Sequence, residues 1–410
     1  MSEFDLVIKN ARLREDPAKL FTIGIRDGRI ARISSEKSSG DRELDANGCL
    51  VTEAFVNPHL HMCKVYTLKM IGEEAIKLYQ TPEMGTAMTA IEVASEVKRR
   101  YDASWIYENA KRALMLALKH GVLHIRAFVD TDTKAKLEGI KALLRLRDDF
   151  KDFVKIQVVA FPQDGVVRDP GAEEMVRKAV EMGADVVGGI PWIEFTDEDA
   201  KKHVDLMFDI AKEYNRDVAM LTDDAGDAGL RTTEMLVRRA IKEGWKGRVE
   251  ICHARAMQLY PDPYFQKLAG LLKQADAGVV SDPHTGPLHA RVRELLNAGV
   301  TVALGQDDIA DAYYPYGRNC MLEVAFLASH LLWMTTFSDM ETLYNMITRN
   351  PAKILRVDGY GLREGCRADL VVLGVESVWD AIATQAIPRF VVSGGRVVAE
   401  THETTEYHLK

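Results

Sequence analysis

The run Pro58-His59-Leu60-His61 sets two imidazoles two residues apart. Alternate residues of a β-strand share a face, so both rings would project together and could bind one metal ion. Alone, they read equally well as two unrelated surface histidines. Further along stand Cys252-His253-Ala254 and Gly305-Gln306-Asp307-Asp308, each closing an apolar run. A carboxylate in such a place is a natural further ligand, or a base that orders a metal-activated water. An aspartate there also suits a helix N-cap.

These residues gain meaning from the elements that must carry them. Apolar, β-type runs recur at 54–56, 122–129, 154–161, 185–190, 217–221, 248–252, 278–281 and 300–304. Amphipathic stretches such as 172–182, 200–214 and 232–243 lie between them. Gly121, Gly183 and Gly299 mark helix ends just before strands. Eight strands, most with a following helix, are the count of a (β/α)8 barrel, whose reactive groups project from the C-terminal strand ends. The histidine and aspartate motifs stand at those ends. An open doubly wound sheet is the alternative, but no GxGxxG follows the first strand.

Both termini read differently. Residues 4–8, 22–26 and 29–34, then 368–373, 390–392 and 396–398, are short strands around turn signals such as Asp27-Gly28 and Gly394-Gly395. The expected organisation is α/β, a catalytic barrel over 54–355 with a small β-sandwich domain made from 1–53 and 356–410.

With 47% hydrophobic and 28% charged residues, the 410-residue chain can bury a large core. A net charge of −8 argues against nucleic acid, which wants a basic face. No run approaches the ~20 apolar residues of a membrane span. The acidic start Met1-Ser2-Glu3-Phe4-Asp5 is unlike a signal peptide. Cys49, Cys63, Cys252, Cys320 and Cys366 are odd in number, scattered and never spaced CxxC, which favours reduced thiols in a cytoplasm.

His59 and His61, the segment Ala160-Phe161-Pro162-Gln163-Asp164-Gly165, His253 and Asp307-Asp308 follow one another as in the amidohydrolase superfamily. The chain resembles the branch holding cytosine deaminase and N-isopropylammelide isopropylaminohydrolase, from Asp5-Leu6-Val7-Ile8 to Ala368-Asp369-Leu370-Val371. The resemblance implies one divalent ion per chain, zinc or iron, on His59, His61 and Asp307. It implies that His253 stabilises the attacked centre. Gln163 and Asp308 would hydrogen-bond a small heterocycle, and Asp224 would shuttle protons from the place of a catalytic glutamate. Barrels of this kind often associate, so a homo-oligomer is allowed for.

The pattern breaks at two places. Leu221, in Met220-Leu221-Thr222-Asp223-Asp224, stands where relatives supply a third histidine, and Phe128 where they commonly show another. Three readings stay open. Asp223, two residues beyond Leu221, replaces the lost ligand; or the metal sits on His59, His61 and Asp307 alone; or the metal is lost. Asp223 and Asp224 are otherwise a cap for the helix that begins near Leu230. His284, after the seventh strand, is a further candidate for substrate contact. His124 reads as a core histidine, while Trp192, Phe128, Tyr313 and Tyr314 could stack on a flat ring or simply pack.

The expected reaction is hydrolytic loss of an amino or alkylamino group from a pyrimidine or s-triazine-like ring. One alternative is a cyclic-amide hydrolase, but the fourth strand end, Val187-Gly188-Gly189-Ile190-Pro191, lacks the lysine of that class. The other is a degenerate barrel that binds without turnover, for which Leu221 is the argument.

Overall fold

The computed structural model describes residues 3–79, 81 and 84–408. Sixteen strands are described: β1 (Phe4–Leu13), β2 (Asp16–Arg26), β3 (Arg29–Ser34), β4 (Gly40–Asp45), β5 (Val51–Glu53), β6 (Phe55–Leu60), β7 (Val122–Asp130) and β8 (Lys155–Phe161), then β9 (Val186–Gly189), β10 (Asp217–Thr222), β11 (Val249–His253), β12 (Gly278–Ser281), β13 (Val302–Leu304), β14 (Leu370–Val372), β15 (Phe390–Ser393) and β16 (Arg396–Glu400). Strands β6 to β13 pair in sequence order, each parallel to the next.

The barrel closes where the chain just past β13 meets β6. Asp307 N donates to His59 O and His61 N donates to Asp307 O, both at 2.9 Å. The closing seam therefore runs through the three residues that the motifs singled out. β6 extends through Leu60, longer than the 54–56 read from its apolar run. Pro58 has no N–H to give to the ladder, and the register with β7 shifts between Asn57 and Leu60.

Helices cover the outside of the barrel. Ala172–Met182 and Thr232–Glu243 begin and end where periodicity sets them. Asp197–Glu213 starts before the expected 200, because the Thr196 side chain accepts from Asp199 N and caps it there. Between β6 and β7 the chain makes a long excursion, with helices Glu74–Tyr79, Ala87–Ser95 and Ala103–Lys119 among its elements. Glu74–Tyr79 and Ala87–Ser95 bring Tyr79 and Ile91 over the barrel mouth. No helix among the described residues is long and apolar enough to cross a membrane.

The terminal strands form two four-stranded sheets, ordered β3-β2-β1-β4 and β16-β15-β14-β5. Leu6, Ile8, Ile23 and Ile25 of one meet Val51, Leu370, Val372 and Val392 of the other in a shared core. The sequence patterns miss β4, which carries mostly exposed polar residues, and β5, which crosses to pair with β14.

Candidate active site

His59 lies one residue before the end of β6 and His61 just past it, and both rings enter the barrel mouth. His59 Nε2 lies 3.3 Å from His61 Nε2. Asp307 Oδ1 lies 3.4 Å from His59 Nε2, 3.6 Å from His61 Nε2 and 3.8 Å from His253 Nε2. A tetrahedral ion with bonds of about 2.0–2.2 Å sets its donors about 3.3–3.6 Å apart, so His59, His61 and Asp307 fit one as they stand, with His253 slightly wide of that spacing. All four are buried and offer donor atoms within 4.8 Å of one another.

The His59 main chain, the His253 ring and the Asp307 carboxylate are each held from behind. Asn57 Oδ1 accepts from His59 N at 3.3 Å and Gln306 N at 3.2 Å, while Asn57 Nδ2 donates to Asn319 Oδ1 at 2.9 Å. Asp282 Oδ2 lies 3.1 Å from His253 Nδ1, which turns the opposite nitrogen toward Asp307. Thr285 Oγ1 donates to Asp307 Oδ2 at 2.8 Å, leaving Oδ1 for the imidazoles. Gly305 admits this crowding, since a Cβ there would collide with Asp282 Oδ1 and the His59 Cβ. Asp223, His253, Ala254 and Asp307 all take positive φ, between 48° and 67°. Such backbone strain collects at functional sites and persists only where surroundings over-determine it.

The electrostatics suit the geometry. Burial, helped by the Lys64 and His59 charges, holds His61 well below its ordinary value and keeps it the neutral donor that a metal needs. Burial also disfavours the His253 cation, but the Asp224 and Asp307 carboxylates outweigh it and raise that group. Asp307 sits well below the usual carboxylate range: burial opposes ionisation, and His253 and His59 overcome it. Burial and the Asp307 charge push Asp308 the other way, well above that range.

These groups face a cavity of about 20 Å³, lined also by Tyr79, Ile91, Gln163, Ile190, Leu221, Asp224, Asp308 and Tyr313. Gln163 Oε1 accepts from Lys64 Nζ, and its Nε2 donates to Tyr313 Oη at 3.1 Å. One wall is apolar, made by Ile91, Ile190 and Leu221, and behind it the Phe128 ring lies 4.1 Å from that of His59 in one buried cluster with Phe161. Leu221 thus lines the cavity as part of its wall.

Asp223 is not brought to this group. Its Oδ1 accepts from Thr232 N and Thr232 Oγ1, both at 2.7 Å, and its Oδ2 from Thr233 N at 3.2 Å and Tyr260 Oη at 2.7 Å. Its carboxylate caps the helix Thr232–Glu243, so the placement as replacement ligand gives way to the capping one. The two-residue spacing misleads because β10 ends at Thr222 and the chain turns at Asp223, where φ is 48°. Asp224 does line the cavity, with Oδ1 2.5 Å from Arg255 Nη1. His284 does not line it: its Nε2 lies 3.3 Å from Gln306 O and its ring meets Tyr314 edge-on.

Sequence patterns give no hint of Arg255, Tyr79 or Glu194. Glu194 accepts from Val166 N, Val167 N and Arg168 N at 2.7–3.2 Å and is backed by His203 Nδ1 at 2.7 Å, which fixes the loop bearing Gln163. The buried His203 signals such a partner only through its place on an apolar helix face.

Residues 42–399 match the profile of the Amidohydrolase family. N-isopropylammelide isopropyl amidohydrolase of Pseudomonas sp. (strain ADP) is 32% identical over 404 residues, 97% of this chain and 98% of that protein. Among solved structures, 5-methylcytosine deaminase from Klebsiella pneumoniae liganded with phosphonocytosine matches with a TM-score of 0.90 at 31% identity, covering 98% of this chain and 100% of that one. N-isopropylammelide isopropylaminohydrolase from Burkholderia multivorans gives 0.85 at 27% identity, covering 96% and 98%. With the family profile spanning most of its length on a barrel of this architecture, the chain belongs to the amidohydrolase family.

Proposed function

We propose that the protein is a metal-dependent hydrolase of carbon–nitrogen bonds, removing an amino or alkylamino group from a small nitrogen heterocycle such as a pyrimidine or s-triazine. The convergence of His59, His61 and His253 on Asp307 Oδ1, beside Asp224, carries this reading. The relatives' names, for deamination of 5-methylcytosine and isopropylaminohydrolysis of N-isopropylammelide, support the substrate class.

One divalent ion, zinc or iron, would be held by those three imidazoles and Asp307. When bound, it lowers the pKa of a coordinated water toward neutrality. The chain supplies the rest. Asp224 takes a proton from the attacking water and returns one to the leaving nitrogen. Gln163 and Asp308 hold the ring edges. Phe128, Phe161 and Leu221 keep bulk water from the reacting centre and strengthen the local field. A cavity of about 20 Å³ accepts little more than one water, so a ring enters only when some of the lining side chains move apart.

The test combines metal analysis with an amine-release assay. Protein prepared with zinc or iron supplied should hold close to one ion per chain. It should release ammonia from cytosine or 5-methylcytosine, or isopropylamine from N-isopropylammelide. Protein that takes up no metal would overturn the reading in favour of a binding-only barrel, which Leu221 favours. Metal-loaded protein inert on all three rings, yet active on a cyclic amide, would overturn the substrate class.

A further inference from the structure

We infer that Arg255 is a positioning residue of this site, whose guanidinium fixes the Asp224 carboxylate so that one oxygen faces the reacting ring. This rests on the reading of Asp224 as proton carrier.

Arg255 does not line the cavity, and its side chain is 1% exposed. It reaches the barrel mouth because His253 and Ala254, with φ of 67° and 49°, are two successive left-handed residues that turn the chain toward the end of β10, where Ala256 N donates to Asp223 O at 2.9 Å. Nη1 donates to Asp224 Oδ1 and to Tyr79 Oη, each at 2.5 Å. Nη2 donates to Thr285 Oγ1 at 2.6 Å and lies 3.6 Å from Asp307 Oδ2. A buried guanidinium is tolerated only with carboxylate partners, and here it has two. Its planar fork sets directions that an ammonium cannot.

The consequence is a division of oxygens. Arg255 takes Asp224 Oδ1, which leaves Oδ2 for the cavity that Asp224 lines. The Thr285 hydroxyl that Arg255 meets takes Asp307 Oδ2, which leaves Oδ1 for the imidazoles. One side chain thus sets the proton carrier relative to the candidate metal ligands, and Tyr79 ties it to the helix above the cavity. Aspartate is shorter than glutamate, and a fixed support behind it keeps its reach in one direction.

The experiment uses full-length, zinc-supplied protein: Arg255→Met, Asp224→Asn, their double variant and Arg255→Lys. Zinc content, kcat and KM are read on whichever of cytosine, 5-methylcytosine or N-isopropylammelide turns over. Arg255→Met should keep its zinc and its KM and lose about 10–100-fold in kcat, as is usual when a supporting partner is removed. The double variant should be no slower than Asp224→Asn, because the guanidinium acts through that carboxylate. Arg255→Lys should recover part of the loss, which a merely structural role would not predict at unchanged KM. Wild-type kcat in Arg255→Met, or losses that multiply in the double variant, overturn the proposal. If Arg255→Met does not fold, wild-type kcat in Arg255→Lys overturns it. Normal turnover in Asp224→Asn overturns the proton-carrier reading itself, whereas loss there with none at Arg255 sinks this proposal alone.

Discussion

Where β13 runs on to meet β6, main-chain hydrogen bonds at 2.9 Å lock His59, His61 and Asp307 into one register. Across the same cavity, the end of β10 presents Leu221 and turns Asp223 away to cap a helix. In the proposed reading the first region binds and the second walls. The candidate ligands are concentrated on the seam and on His253 of β11, and the opposite side supplies an apolar boundary with one acid, Asp224. Loss of a ligand on one strand need not empty such a site when a neighbouring strand end already aims an imidazole at the same carboxylate.

The hardest way to break this comparison is to remove a seam ligand. His61→Ala should abolish metal retention and with it turnover, because the remaining donors no longer close around an ion. Metal content near one per chain in that variant would place the ion elsewhere. Next in size comes Asp224→Asn, which keeps the shape but cannot carry the proton. Its kcat should fall about 10²–10⁴-fold with metal retained, the usual worth of general acid–base catalysis. Near-normal turnover on an established substrate would pass the role to another group.

The contrast between the regions also explains what was legible. HxH at a strand end needs only the period-two rule, and a carboxylate after the last apolar run needs only the barrel count; both are written locally. The period-two rule fails at Asp223 because it holds only while the strand continues, and β10 stops one residue short. Arg255 depends on two left-handed residues in succession, which nothing in His253-Ala254 announces. The order of the barrel strands and the bounds of Ala172–Met182 and Thr232–Glu243 follow from hydrophobic periodicity. β4 and β5 do not, since one is mostly exposed and the other only three residues long.

A smaller effect separates capping from ligation. Asp223→Ala should leave metal content unchanged while lowering stability by about 1–3 kcal/mol, because it strips a buried cap from the first turn of Thr232–Glu243. Thermal or denaturant unfolding reads the loss, and elemental analysis reads the metal. Metal lost together with stability would show that the two regions share a ligand after all.

The smallest effect belongs to His284, which the sequence suggests for substrate contact. Its Nε2 lies 3.3 Å from the Gln306 carbonyl, and its ring packs edge-on at 5.3 Å from Tyr314. It belongs to the seam's outer support and does not line the cavity. The seam itself is joined by main-chain bonds and by Asn57, so it does not depend on this imidazole. Burial holds His284 below its ordinary value, which makes it a neutral ring with little charge to offer a substrate. His284→Asn should therefore leave kcat, KM and metal content near wild type and cost about 1 kcal/mol or less of stability, the worth of one weak hydrogen bond and a ring contact. A large rise in KM with kcat unchanged would mean that His284 reaches the bound ring, and the binding face of the site would then extend beyond the seam to the loop after β12.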